Sequence, residues 1–336
     1  MKIDIHNHAI PEPAVELLRT EPVYGVRIEG DRVIGGSHVP WTLFRSFVDA
    51  GAKLAELESK RLQAAVVSPA PPVFYYEVDP EAGEAMATAV NEGMVDFCAK
   101  APDRLRWMAH VPLAAPERAG AILDVADRAG CVGVEVATMV DGHRLDEPRF
   151  EPFWAAAERL GLPVMLHPYY NQTHPGLEPY YLQNVIGNML ETTLAIERLI
   201  CAGVLDRHPG LTLLLVHSGG YFPYQAGRLR HARQVRPELE DAPEDPWAYV
   251  GRIKFDTITH DVAALAYLVS RVGTDNVLMG TDLPFDMAPE RPVEELEQAV
   301  DAETARRVAE ENPAVLFRFD DQGRGKPRAY EETSHA

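Results

Sequence analysis

Residues 276–284 read "NVLMGTDLP", a short apolar run held between Asn276 and the turn formers that follow Met279. Such a run reads as a buried strand, and it is the eighth of its kind along the chain. The seven before it are "KIDIHNH" (2–8), "QAAVVSP" (63–69), "LRWMAHVPL" (105–113), "CVGVEVAT" (131–138), "PVMLHPY" (163–169), "LTLLLVHSGG" (211–220) and "IKFDTIT" (253–259). Helix-like segments with apolar residues at helical spacing lie between most of them. Examples are "PEAGEAMATAVNEGMVDFCAK" (80–100), "PERAGAILDVADRAG" (116–130), "RFEPFWAAAERLG" (149–161) and "DVAALAYLVSRVG" (261–273). Strand and helix in alternation imply a parallel sheet covered on both faces. A count of eight fits a closed (β/α)8 TIM barrel better than an open doubly wound sheet, and no GxGxxG follows any strand to support dinucleotide binding. The expected organisation is a single barrel domain over residues 1–319.

Two segments depart from the alternation. Residues 21–45 contain "GVRIEGDRVIGG", which reads as a hairpin turning at Glu29-Gly30-Asp31, inserted after the first strand and placed to cover a barrel mouth. Residues 320–336, "DDQGRGKPRAYEETSHA", are polar and rich in turn formers, so this tail is expected to be loosely ordered or to lie on the surface.

Composition narrows the function classes. With 46% hydrophobic and 25% charged residues the 336-residue chain reads as an ordinary soluble globular protein, without an apolar run of membrane-spanning length. The first residues are strand-like and lack the pattern of a secretory signal, so a cytoplasmic location is expected. Cys98, Cys131 and Cys201 are widely spaced, which argues against a disulfide framework or a cysteine zinc site. A formal charge of −19 disfavours nucleic acid and anionic membranes as partners. It leaves an anionic small molecule open, because a few arginines in a cleft hold a carboxylate whatever the charge outside.

In a barrel of this kind the chemistry sits at the C-terminal ends of the strands. Here the first run ends with His6 and His8, the fifth carries His167, the sixth His217, and the eighth Asp282. Strand side chains alternate faces, so Asp4, His6 and His8 share one face and Ile3 and Ile5 the other. A lone histidine at a strand end is more often packed than ligating, but four of the 12 histidines at matching strand ends point to a metal site. Three imidazoles and a carboxylate, His6, His8, His167 and Asp282, suit one Zn²⁺ per chain; Mn²⁺ or Fe²⁺ accept similar donors. His217 stands beside them as the acid/base group, and Asp4 supports the ligands from beneath. The fourth run carries no lysine to bridge a second metal. Glu135 on it is a carboxylate, so a second ion stays open, with a single ion favoured.

These residues resemble the decarboxylase and hydratase branch of the amidohydrolase superfamily, most closely the aminocarboxymuconate-semialdehyde decarboxylases. The resemblance runs in order through "IDIHNH", "HVPL", "VGVEVA", "PVMLHP", "HSGGYFPYQAGRLRHA", "KFDT" and "VLMGTDLPF". It implies metal ligation by His6, His8, His167 and Asp282, with Asp282 and His217 as catalytic residues and His217 activating the metal-bound water. It implies no organic cofactor. It also implies that Arg228 reaches a substrate carboxylate across the interface of a homodimer, and that Arg45 is a second substrate-binding arginine. Tyr169 and Phe285, beside His167 and Asp282, are expected to line the substrate pocket.

Three functions follow from the motifs. The first is a metal-dependent carboxy-lyase that removes CO₂ from an unsaturated or aromatic carboxylic acid. The second is a hydratase or hydrolase on the same metal site. The third is an inactive binding protein, which is expected to have lost a ligand or His217, whereas all five residues are present.

Overall fold

A computed structural model describes residues 1–35, 40–169, 174–319, 327, 328 and 330. All eight apolar runs form strands of one parallel sheet: β1 (Ile3–Ala9), β2 (Ala64–Pro69), β3 (Leu105–Ala109), β4 (Gly133–Ala137), β5 (Val164–His167), β6 (Leu213–Leu215), β7 (Ile253–Asp256) and β8 (Val277–Leu278). They pair in chain order. The segment after β8 closes the ring onto β1, where Ile5 N donates to Met279 O at 2.9 Å, Asp282 N to His6 O at 2.7 Å and His8 N to Leu283 O at 2.8 Å. Most of these strands are shorter than the apolar runs that announced them, because burial continues past the ladder into the rim loops.

Every residue of β1 is buried, so its polar residues Asp4, His6, Asn7 and His8 are held inside the barrel with its apolar ones. Its register with β2 shifts between Asp4 and Asn7, a bulge of the kind that re-aims side chains at a barrel rim. The helices Pro80–Ala99, Pro116–Arg128, Glu151–Leu160 and Val262–Val272 lie where the sequence places them. Asp79 and Asp261 accept hydrogen bonds from the first turns of the outer two, as N-caps do.

Between β1 and β2 the chain first makes the helix Glu12–Thr20, which the sequence reading omits, and then the antiparallel strands Val26–Glu29 and Arg32–Gly35, turning at Gly30 and Asp31. A third short strand, Trp41–Thr42, joins them; residues 36–39 of the 21–45 insertion lie outside the described residues. Trp41 meets the buried Phe47 with ring centroids 6.0 Å apart, and Phe47 meets Phe285 at 5.3 Å. The insertion is thereby connected to the rim. Most of the 320–336 tail is outside the described residues, but Tyr330 is partly buried against the main hydrophobic core and Arg328 N donates to Ala129 O at 2.8 Å. No helix among the described residues is long and apolar enough to cross a membrane.

The entry of the helix Glu12–Thr20 fixes one tight contact. A Cβ on Gly93, inside the helix Pro80–Ala99, would lie 2.4 Å from Pro11 Cβ and 3.0 Å from Pro13 Cδ. Alanine is the better helix former by about 1 kcal/mol, but overpacking costs about 1–3 kcal/mol. Gly93→Ala is therefore expected to lower stability, read as an earlier midpoint in urea unfolding.

Candidate metal centre

The strand ends deliver His6, His8, His167 and Asp282 to one point, where a ligand atom from each lies within 4.8 Å of all the others. Asp282 is the centre of the group. Its Oδ1 lies 2.9 Å from His8 Nε2, 3.3 Å from His6 Nε2 and 3.9 Å from His167 Nε2, and its Oδ2 lies 3.5 Å from His217 Nε2.

The other ring nitrogens explain why the Nε2 atoms converge. His6 Nδ1 donates to Asp256 Oδ2 at 2.7 Å and His167 Nδ1 to Pro168 O at 2.7 Å; His8 Nδ1 lies 3.2 Å from Ser68 Oγ and 3.3 Å from Pro69 O. A ring that donates at Nδ1 keeps its lone pair on Nε2, the arrangement in which imidazole ligates metals. Buried His6 Nε2 and His167 Nε2 have no hydrogen-bond partner. Buried acceptors without partners, aimed at a carboxylate, fit a divalent cation by their chemistry as well as by their spacing.

Electrostatics agrees. Burial opposes ionisation of Asp282, yet the imidazoles around it hold its carboxyl well below the usual carboxylate range. Burial drives His8 down to about 3, whereas for His6 the charges of Asp282 and Asp256 outweigh burial and raise it to about 10. The centre thus favours positive charge beside Asp282, which a divalent ion would supply in place of a proton on His6.

Asp256 at the end of β7 is the functional residue the sequence reading passed over, although it lies within "KFDT". It accepts His6 Nδ1–H, and also the backbone N–H groups of His217 and Ser218 at 2.7 Å and of Ile258 at 3.0 Å. His217 and Ser218 are left-handed, with φ of 51° and 60°, as is Asp282 with 65°. Such backbone is uncommon outside glycine and clusters at functional sites. The two glycines that follow have no room for a side chain: a Cβ on Gly219 would lie 2.7 Å from the Phe255 ring and one on Gly220 2.3 Å from Met189 O. Asp4, the expected support from beneath, accepts His6 N–H at 3.1 Å and the Thr281 hydroxyl at 2.6 Å, tying β1 to the segment that carries Asp282.

The remaining candidates are placed unevenly. Phe285 lines a small cavity over the centre, its ring 5.3 Å from that of His8. Tyr169 is buried instead of lining that cavity, and its hydroxyl donates to the Glu77 carboxylate at 3.1 Å; Tyr170 lies outside the described residues. Tyr181 takes a place in the lining. Arg45 is exposed, with a 3.7 Å ion pair to Asp49, and Arg228 is exposed on the helix Phe222–Val235. Neither arginine lines this cavity within one chain. Glu135 is buried 3.8 Å from His8 Nδ1, on the side away from Asp282, and burial raises its carboxyl to about 7.

A sequence profile described as amidohydrolase matches residues 3–319. The chain belongs to the amidohydrolase family. Among its amidohydrolase relatives, the 2-amino-3-carboxymuconate-6-semialdehyde decarboxylase of Dictyostelium discoideum is 28% identical over 315 residues, 89% of this chain and 86% of that one. The apo structure of Metarhizium anisopliae IDCase superposes with a TM-score of 0.85 at 24% identity, covering 96% of this chain and 98% of that one. A 5-carboxyvanillate decarboxylase from Novosphingobium aromaticivorans, complexed with manganese and a nitrobenzoic acid, superposes with a TM-score of 0.77 at 20% identity, covering 95% and 96%.

Two measurements check this geometry. Asp256→Asn removes the carboxylate that orients His6, and a change of this kind is expected to weaken divalent-ion affinity about 10- to 100-fold, read by competition with a chromophoric chelator. Glu191 accepts Thr138 Oγ1–H at 3.2 Å and Tyr169 N–H at 3.3 Å, joining the ends of β4 and β5. Burial pushes its carboxyl up from 4.5 to about 7. Between those values the folded chain holds a proton that the unfolded chain has lost, so stability falls as pH rises through that window. Glu191→Gln keeps an acceptor oxygen and is expected to flatten that slope in urea unfolding between pH 5 and 7.5.

Proposed function

We propose that this chain is a metal-dependent decarboxylase acting on an unsaturated or aromatic carboxylic acid. The observation that carries the reading is the convergence of three imidazole Nε2 atoms and Asp282 beside His217, in a family whose relatives with this fold include named decarboxylases. The proposed ligands are His6, His8, His167 and Asp282, with one Zn²⁺ as the resident ion. Manganese is the ion in the carboxyvanillate decarboxylase neighbour, so Mn²⁺ is the competing choice.

A divalent ion here supplies a Lewis acid that polarises substrate oxygens and raises the acidity of water. The protein does the rest. Asp256 fixes the left-handed turn at His217, so the imidazole enters the cavity at a set angle. His217 Nδ1 has no hydrogen-bond partner and its Nε2 faces Asp282, which leaves the ring free to exchange a proton. The proton goes to the carbon bearing the carboxylate; the carbon–carbon bond then breaks, its electron pair returns to the substrate's π system, and CO₂ leaves. Phe285 and the neighbouring prolines Pro71 and Pro72 keep bulk water from that carbon. Glu135, on the Nδ1 side of His8, is not among the proposed ligands. A homodimer in which Arg228 of one copy reaches the carboxylate in the other accounts for an arginine that is exposed on its own chain.

Purified, metal-loaded protein incubated with carboxylated phenols, muconate semialdehydes and unsaturated diacids is expected to reduce the mass of at least one by that of CO₂. Gain of water would replace the reading with a hydratase or hydrolase on the same centre. Chelation is expected to abolish turnover and added Zn²⁺ or Mn²⁺ to restore it. His217→Asn is expected to cut kcat by about 10²- to 10⁴-fold with metal content unchanged by mass spectrometry.

A further inference from the structure

The helix Ala50–Ser59 runs beside the segment that carries Asp282. Phe47, just before it, packs on Phe285, and Lys60, just after it, donates to Pro289 O at 3.1 Å and to Glu290 O at 3.3 Å. Between these contacts Lys53 is 0% exposed, alone among the lysines of the described residues. Its Nζ donates to Leu283 O at 3.3 Å and makes no ion pair among the described residues. A lysine stem is long enough to carry its ammonium to water, so one kept inside on a single carbonyl needs another source of stabilisation.

That source lies on the other side of the same segment. Leu283 O also accepts His8 N–H at 2.8 Å, and Leu283 N donates to Thr281 Oγ1 at 3.2 Å, whose hydroxyl donates to Asp4 Oδ2 at 2.6 Å. Lys53 at Leu283 and Asp4 at Thr281 therefore hold the backbone on either side of Asp282. Asp4, Asp256, Asp282 and Glu135 are all buried around this centre. The other buried cation of the described residues, Arg106, sits near the start of β3 and donates to Pro102 O at 2.6 Å. Burial lowers Lys53 to about 8, while the charges of Glu56, Asp4 and Asp282 pull it upward, so it is an ammonium near neutral pH.

We infer that Lys53 is a positioning residue and the standing counter-charge of the centre: it seats the Asp282 segment through Leu283 O and offsets the buried carboxylates before a divalent ion binds. The inference rests on the metal centre proposed above and not on the reaction. An ion at the imidazoles brings positive charge into the same neighbourhood, so the ion and the ammonium oppose each other electrostatically. Loss of the ammonium then harms the metal-free protein most, and by linkage the ion binds the altered protein more tightly.

The test compares full-length Lys53→Met, close in size and uncharged, with Lys53→Arg, which keeps the charge. Zn²⁺ and Mn²⁺ affinities are measured by competition with a chromophoric chelator, and urea unfolding is followed with chelator and with excess ion. Lys53→Met is expected to lose stability without the ion, to lose less with it, and to bind either ion about 5-fold or more tightly than the parent. Lys53→Arg is expected to keep the parent's affinity within about twofold, because the charge remains. A lysine with only a packing role would cost the same with and without the ion and leave affinity unchanged; that result, or weaker binding by Lys53→Met, would overturn the inference. Recovery of folding by Lys53→Met only when the ion is present would support it, and failure to fold in both conditions would overturn it. In chelated protein Lys53→Met is also expected to cost less in an Asp282→Asn background, where the carboxylate it offsets is gone, and equal costs would overturn the inference. Should the parent bind neither ion, the metal reading fails and this last comparison still decides the role of Lys53.

Discussion

One buried carboxylate, Asp256, sets the geometry on which the rest of the site depends. It takes the Nδ1 proton of His6 and the backbone protons of His217 and Ser218 at once, all at 2.7 Å. His6, a candidate ligand on the first strand, and His217, the proposed acid/base group after the sixth, are therefore positioned by the same two oxygens from the seventh. Four donors outweigh the cost of burying the charge, and its carboxyl is held below the ordinary carboxylate value despite complete burial. The arrangement also accounts for the glycines that follow: a left-handed turn packed against Phe255 and Met189 leaves no room for Cβ.

The barrel was legible because its strands are buried on both faces, so each appears as a run of apolar residues with no polar alternation to blur it. The candidate ligands were legible for a related reason. A histidine or aspartate ending such a run stands out where the chain leaves the core for the rim. Asp256 ends β7 in the same way, yet it carries no such mark, because its value lies in contacts with residues 250 and 39 positions away. The helix Glu12–Thr20 was missed between two prolines and a strand-like hairpin. Tyr169 was expected in the pocket from its position after His167, but the strand ends at His167 and the chain beyond it buries the ring, where Phe74 packs on it with centroids 5.5 Å apart.

The pocket is less legible than the centre for a physical reason. The candidate ligands are positioned by the barrel, whose geometry follows from strand pairing, whereas the space beside them is bounded by the segments after β5, β6, β7 and β8, which obey no single periodicity. Asn184 and Asn188 illustrate the difference. They are four residues apart at the junction of an irregular segment, Gln183–Gly187, with the helix Asn188–Cys201. Only the folded chain places both against His217. The same centre can then serve different acids as these loops change, because the loops reshape the cavity without moving the strand ends. The rim loops, more than the ring of imidazoles around Asp282, are therefore where a choice among substrates would be made.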